Sequence, residues 1–246
     1  MKFRPIVIVP ARLNSGRLPR KALASIRGEP MIVHVWRQAI AARVGPVVVA
    51  TDTAAIAAAI ERAGGIVLMT SADHHSGSDR VREAVGIVDP NGAHDVVINL
   101  QGDLPAFDPS ILQLSFETLS DPAVAIGTLA AVISRDQERT NSNVVKLVGT
   151  EIAPGHHRAL YFTRATAPWG EGELLRHIGI YAYRRQALER FATLPPSSLE
   201  RRERLEQLRA LEAGMRIDAI VVDGDAPLSV DTPEDLEQLE RQGVRA

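Results

Sequence analysis

Short, almost wholly apolar runs alternating with helix-period segments constrain this chain more than any other feature of it. Ile6-Val-Ile-Val9, Val47-Val-Val-Ala50 and Val96-Val-Ile-Asn-Leu100 are too short for helices and lack a polar face, so each must be covered on both sides. Between them lie segments of helical period. Met31 to Ala41 places Ile32, Val33, Trp36 and Ile40 at helical intervals behind Pro30, which suits a first turn because it needs no N–H there. Thr53 to Ala63 is striped by Ile56 and Ile60, opened by Asp52 or Thr53 as cap and closed by Gly64-Gly65. This βαβα rhythm predicts an α/β fold with a parallel sheet covered by helices, whose strand carboxyl ends are where a ligand would sit.

Beyond residue 104 the rhythm loosens. The pattern predicts a helix near Pro109 to Leu119, strands within Ala123 to Ile133 and Val144 to Val148, and an amphipathic helix over Leu199 to Leu211. A last buried strand follows at Ile217 to Val222. Arg176 to Tyr183 sets Ile178, Ile180 and Ala182 against His177, Gly179, Tyr181 and Tyr183, a strand with one polar or aromatic face. Mixed strand directions are expected here, and the Pro- and Gly-rich stretches 153–157 and 168–172 mark an excursion within a single domain spanning 1–246.

Composition sets outer limits. A chain of 246 residues with 45% hydrophobic and 24% charged residues can bury a full core, so disorder is not expected. A net charge of −2 gives no general pull toward polyanions, so no nucleic-acid partner is expected and any phosphate site must be a local basic cluster. Without cysteine there is no disulfide frame, thiolate nucleophile or Cys-ligated metal. The N-terminal apolar run is too short for a signal segment and no later run suits a membrane span, so a soluble cytoplasmic protein is the expectation.

Such a basic cluster follows the first strand directly. Pro10-Ala-Arg-Leu-Asn-Ser-Gly-Arg-Leu-Pro-Arg-Lys21 carries Arg12, Arg17, Arg20 and Lys21, with Ser15 and Gly16 letting backbone amides converge as a polyphosphate requires. An ordinary solvated basic turn would carry the same residues. No Walker loop and no dinucleotide fingerprint is present. Gln101-Gly-Asp103 closes a buried strand, which aims Asp103 into the crevice. Asp231 precedes Thr232-Pro-Glu-Asp235, a capping pattern, and is equally readable as a helix-dipole partner. Two carboxylates with waters and phosphate oxygens suffice for Mg²⁺. Asp223-Gly-Asp225 looks like the DxD metal motif of nucleotide-sugar glycosyltransferases, but Asp-Gly before Ala226-Pro227 is also a common turn. Ser76, Gly77, Ser78 and Arg80 suit a hydroxyl-rich or anionic ligand. The pairs His74-His75 and His156-His157 lack the spacing of a zinc site, and Arg164 and His177 stand near the polar strand face.

Taken in order, these blocks resemble the 3-deoxy-manno-octulosonate cytidylyltransferase (CMP-Kdo synthetase) family from Ile6 to Leu239. The likeness is carried by Pro10-Ala-Arg12 with Arg17-Leu-Pro and Lys21, Met31-Ile-Val-His-Val35, Ala50-Thr-Asp52, Ala72-Asp-His with Ser76-Gly, and Asn99 to Asp103. It continues through Ala159-Leu-Tyr-Phe with Arg164-Ala, Arg176-His with Gly179-Ile-Tyr181, Leu205 to Arg209 and Val230 to Leu236. The resemblance implies a Rossmann-like nucleotidyltransferase fold, a mostly parallel mixed sheet flanked by helices, with a later mixed-strand region joining a homodimer. It implies that CTP and a Kdo-type sugar acid give CMP-Kdo and pyrophosphate with Mg²⁺, in lipopolysaccharide biosynthesis. Carried across, Pro10, Ala11, Arg12, Arg17, Lys21, Ser76 and Gln101 would bind nucleotide, with Arg12 and Lys21 as the principal cations. Asp103 and Asp231 would hold the metal and, with Arg12 and Lys21, carry the catalysis; Arg80, Gln101, Arg164, His177 and Gln207 would line the sugar-acid pocket, bordered by Ser76 and Gly77. The chain departs from the family's usual pattern at Leu13, Arg20, Ser71 and Leu104, where Tyr, Gly, Arg and Glu are usual. Such losses bear on metal stoichiometry and on the sugar acid preferred, such as an 8-amino analogue of Kdo or a nonulosonic acid. A glycosyltransferase using Asp223 and Asp225, or a non-catalytic sugar-nucleotide binder, is the alternative from another class.

Overall fold

The structure, a computed structural model, describes residues 3–13, 18–74 and 76–242. Arg17, with Ser15 and Gly16 of the basic loop, and His75 lie outside the described residues. The described residues pack as two compact units, one within 3–113 and 227–242 and the other 114–226.

The first unit begins with β1 (Pro5–Ala11), a short antiparallel pair β2 (Ser25–Ile26) and β3 (Glu29–Pro30), and α1 (Met31–Ala41). It continues through β4 (Val47–Thr51), α2 (Ala54–Arg62), β5 (Ile66–Met69), α3 (Gly77–Val88) and β6 (Val96–Leu100). The strands run in the order β5-β4-β1-β6, all parallel. After stepping outward from β1 to β5 the chain returns to place β6 on the other side of β1. The order therefore reverses between β1 and β6, and the loops leaving these two strands flank the switch point, where open parallel sheets hold their ligands.

The apolar runs behave as a doubly covered sheet demands: β4 and β6 are buried throughout, and Val7, Ile8 and Val9 of β1 have no exposed surface. Edge strand β5 is the exception, with Ile66 and Met69 exposed. The stripe of α1 differs from the expected one. Met31, Ile32, Val35 and Ala39 face the core, while Ile40 is turned outward and is 46% exposed, so the buried face begins one residue earlier than the spacing suggested.

The second unit comprises α4 (Ile111–Glu117, whose length spans the boundary), β7 (Ile126–Val132), α5 (Asp136–Thr140), β8 (Lys146–Ala153) and β9 (His156–Thr163). After these come β10 (Leu175–Arg184), α6 (Arg185–Thr193), α7 (Ser198–Glu203), α8 (Gln207–Glu212) and β11 (Ile217–Val222). Its strands run β10-β7-β11-β9-β8, and β8 also pairs with β10 through Leu175 and Arg176, so the pairings form a ring. Only β7 with β11 is parallel; the other pairs are antiparallel. The parallel pairing expected of the opening βαβα rhythm is found in the first unit, and the mixed strand directions expected beyond residue 104 in the second. Within residues 153–157, expected as an excursion, Pro154 and Gly155 form the tight turn of the β8–β9 hairpin, with Gly155 at φ +69°. The single helix expected over Leu199 to Leu211 is two short ones, because Arg204 adopts the left-handed conformation at φ 56°.

The chain then returns to the first unit with α9 (Pro233–Gln242). Val230 and Leu239 join Ile26 and Met31 in a buried cluster, with Leu18, Ala106, Leu228 and Leu236 packed against it. Each such side chain contributes about 1.5–3 kcal/mol when fully buried. This cluster clips the returning segment beside the loop after β6, where the Val230 N–H donates to the Asp103 carbonyl at 2.9 Å.

Candidate active site

Three residues widely separated in sequence converge within the first unit. Lys21 opens a 3-10 turn after the basic loop, Asp103 follows β6, and Asp231 precedes α9. The Lys21 ammonium donates to Asp103 Oδ2 at 2.7 Å and to Asp231 Oδ1 at 2.9 Å. Its position is set by local chemistry. The Asp231 and Thr232 N–H groups donate to Asp235 Oδ2 at 2.9 Å, and the Asp235 N–H returns a bond to Thr232 Oγ1 at 3.3 Å. This is the capping arrangement expected from the sequence, and it fixes the carboxylate of Asp231 at the mouth of the helix. Gly102 lets the β6 loop hug β1, since a Cβ there would stand 3.1 Å from the Pro10 carbonyl oxygen.

Burial works against the Lys21 charge, but the adjacent Asp103 and Asp231 outweigh it and raise its pKa above the ordinary lysine value. The side chains of Asp103 and Asp231 are 23% and 33% exposed, so both stay within reach of solvent and ligand. Two hard oxygen donors already gathered around one cationic nitrogen match what Mg²⁺ takes from a protein when waters and phosphate oxygens complete its shell. Among the described residues no group of three or more His, Asp or Glu side chains is placed to hold a metal by itself.

The neighbouring residues divide into those facing this site and those holding its frame. Arg12 is exposed immediately after β1. Gln101 bonds Asn99 through its amide at 3.3 Å and is partly exposed at the end of β6. Ser76 accepts the Asp79 N–H at 3.1 Å and so caps α3, whose first residue, Gly77, stands against Pro10. Arg80, expected to line a sugar-acid pocket, is buried: Nη2 donates to Asp52 Oδ2 at 2.6 Å and Nη1 to Thr70 Oγ1 at 2.5 Å, with 4% of the side chain exposed. Desolvation pushes the Asp52 carboxyl upward, but hydrogen bonds from Thr53 and Arg80 and the Arg80 charge prevail and lower its pKa. A guanidinium so enclosed needs a carboxylate, and Asp52, read from the sequence as a candidate helix cap, is that partner, while Thr53 takes the cap position of α2.

Within the second unit, Arg164 points its guanidinium at main-chain carbonyls. Nε donates to Glu203 O at 2.9 Å and Nη1 to Ser142 O at 3.0 Å, tying the end of α7 to the loop before β8. Glu203, another residue sequence reasoning missed, accepts the Arg164 N–H at 2.9 Å and the Thr163 hydroxyl at 2.8 Å. His177 lies on the polar face of β10, edge-on to Phe162 at 4.9 Å and beside Tyr181 at 5.3 Å. Burial holds its pKa down at about 3, so the ring is neutral. Because Thr128 donates its hydroxyl proton to Ile180 O at 2.8 Å, the 3.0 Å contact from Thr128 Oγ1 to His177 Nε2 assigns the proton to Nε2, leaving Nδ1 as acceptor. Gln207, at the start of α8, is 6% exposed. Asp225, half of the alternative metal motif, takes Ser134 Oγ at 2.7 Å and Arg135 Nη2 at 3.1 Å. Gly224 sits at φ 82°, the turn that Asp-Gly predicts.

Comparison with known proteins adds an independent line. A model of the cytidylyltransferase family matches residues 6–217. The chain is 66% identical over 234 residues to a 3-deoxy-manno-octulosonate cytidylyltransferase of Methylobacterium nodulans, covering 95% of this chain and 94% of that protein. It is 60% identical over 233 residues to the protein of the same name from Azorhizobium caulinodans, covering 95% and 93%. Among solved structures, CMP:2-keto-3-deoxy-manno-octonic acid synthetase complexed with CTP superposes with a TM-score of 0.87 at 38% identity, covering 97% of this chain and 98% of the other. A cytidylyltransferase from Leptospira borgpetersenii shares the fold at 17% identity and a TM-score of 0.63, covering 97% and 85%.

Proposed function

The chain belongs to the cytidylyltransferase family, and from that premise we propose that it transfers CMP from CTP to the anomeric hydroxyl of 3-deoxy-D-manno-octulosonate (Kdo), releasing pyrophosphate. The observation that carries this reading is the convergence of Asp103 and Asp231 on one cationic nitrogen at the switch point of the parallel strands. The likeness to a CTP-bound synthetase supports a Rossmann-like nucleotidyltransferase core with the triphosphate over the loop leaving β1.

In-line displacement at the α-phosphorus needs alignment and charge compensation rather than a covalent intermediate. A Mg²⁺ ion held by Asp103 and Asp231 would neutralise phosphate charge and acidify the attacking hydroxyl. Arg12 and Lys21 bind the β- and γ-phosphates and stabilise the departing pyrophosphate. Gln101 orients the base or sugar side. In the sugar-acid pocket, neutral His177 offers Nδ1 to a substrate hydroxyl without drawing a second charge into an apolar wall, and Gln207 supplies an amide. Arg80 and Arg164 serve as positioning residues, since their guanidinium groups already hold Asp52 and the end of α7.

Leu104 is 4% exposed where the family carries Glu, and Ser71 replaces Arg, which favours testing an 8-amino analogue of Kdo beside Kdo itself. Exposed Ile152, Leu160 and Trp169, the last 99% exposed, support a homodimer formed through the later strands. No helix among the described residues is long and apolar enough to cross a membrane. A CTP-dependent step supplying lipopolysaccharide assembly belongs in the cytoplasm, where CTP is made. Pyrophosphate release measured with four nucleoside triphosphates and a panel of sugar acids tests the reading: CTP with Kdo or its 8-amino analogue should give the highest rate. Consumption of a sugar nucleotide without pyrophosphate would overturn it.

A further inference from the structure

The metal reading and the triphosphate reading meet at Lys21. Its ammonium has three protons to donate, and two are taken by the carboxylate oxygens a divalent cation would use, at 2.7 and 2.9 Å. A cation bound at about 2.1 Å from the same oxygens would occupy nearly the same space and repel the ammonium. Both cannot hold Asp103 and Asp231 in this arrangement. The root of the side chain is fixed, with the Lys21 N–H on Leu18 O at 3.2 Å, the Ala24 N–H on Lys21 O at 3.0 Å, and Ala22 buried. Its four-carbon stem is the part free to move.

We infer that Lys21 is a placeholder for the divalent cation: in the nucleotide-free chain it bridges Asp103 and Asp231, and metal entry requires it to leave for the triphosphate. The inference rests on reading Asp103 and Asp231 as metal ligands and adds a coupling that reading does not contain. With Lys21 in place, the loops before α9 and after β6 stay together in spite of their like charges. Metal arriving alone must displace the ammonium with no anion to receive it, so it binds weakly. Metal arriving with a triphosphate supplies that anion, so the two bind cooperatively and each raises the affinity for the other. Ordered use of nucleotide and metal is then a property of one side chain.

Mn²⁺ binding to the whole protein, followed by electron paramagnetic resonance without nucleotide, tests this directly. Lys21→Met should bind Mn²⁺ at least tenfold more tightly than wild type, and adding Asp103→Asn to Lys21→Met should remove the gain. Lys21→Ala serves the same comparison should the Met variant not fold, as checked by circular dichroism. Nucleotide-free Mn²⁺ affinity in the folded variant equal to or below that of wild type would overturn the placeholder role. A different failure marks the underlying reading: if Asp103→Asn binds Mn²⁺ in the presence of CTP as well as wild type does, Asp103 is no metal ligand and the inference falls with it.

Discussion

Replacing Arg80 with Met separates a framework role from a substrate-binding one. Its guanidinium is almost fully enclosed and bonded to Asp52 and Thr70, and a Met side chain fills similar volume without charge. Removing one partner of a buried ion pair costs about 3–5 kcal/mol, because the other charge is left uncompensated. Asp52 is 17% exposed and partly recovers water, so the lower end applies, about 3 kcal/mol. For a chain of this size that corresponds to a fall in Tm of roughly 6–12 °C. The double variant Arg80→Met with Asp52→Asn should regain part of the loss, because the unpaired carboxylate is gone. Differential scanning calorimetry gives the stability, and pyrophosphate release at 20 °C below the variant's Tm gives the kinetics. The KM for the sugar acid should stay within about threefold of wild type, as expected of a side chain that touches no substrate. A tenfold or larger rise in that KM with Tm unchanged would refute the reasoning and put Arg80 in the pocket.

Asp103→Asn should remain folded and lose roughly a hundredfold or more in turnover, the scale of removing one electrostatic stabiliser of the transition state; near-wild-type CMP-Kdo formation would remove Asp103 from the mechanism. His177, held neutral with a pKa of about 3, binds a proton in the unfolded chain as pH falls through 6.5 but not in the folded one. Its contribution to stability is therefore complete above pH about 6.5 and erodes between there and pH 3, by up to about 1.4 kcal/mol per pH unit. The gap in unfolding free energy between wild type and His177→Asn should narrow by about 2 kcal/mol from pH 7 to pH 5 in urea titrations, and a constant gap would exclude the assignment. Asp225→Ala breaks an exposed pair, so it should change stability by less than about 1 kcal/mol and leave activity intact; loss of activity would revive the DxD motif.

What the sequence showed follows from which forces are local. Strands β4, β6 and β11 and helix α1 end within a residue of the expected boundaries, because apolar runs and a helix-compatible proline act over a few residues. Asp103 and Asp231 were legible for the same reason: one ends a buried strand, the other precedes a capping pattern, and each is placed by its own neighbours. The break at Arg204 was not legible, because a left-handed residue there is held by Arg164 from forty positions away. The protein partners of Arg80 and Arg164 were not legible either. A guanidinium suits a substrate carboxylate and a buried protein oxygen alike, and only the fold decides which it meets. Strand β9 was missed because turn-forming residues at 153–157 signal a bend without saying that a hairpin continues beyond it.

The return of residues 227–242 to the first unit sets an order on biosynthesis. When a ribosome has delivered β1 to β6, Lys21 and Asp103 exist but the partner carboxylate is still more than a hundred residues from being translated. A nascent or prematurely terminated chain therefore has one of the two carboxylates that meet at Lys21 and an unsealed apolar cluster around Ile26 and Met31. Asp231 and the helix α9 that seals the cluster arrive together, so the second carboxylate and the apolar cover are delivered in one stretch of chain.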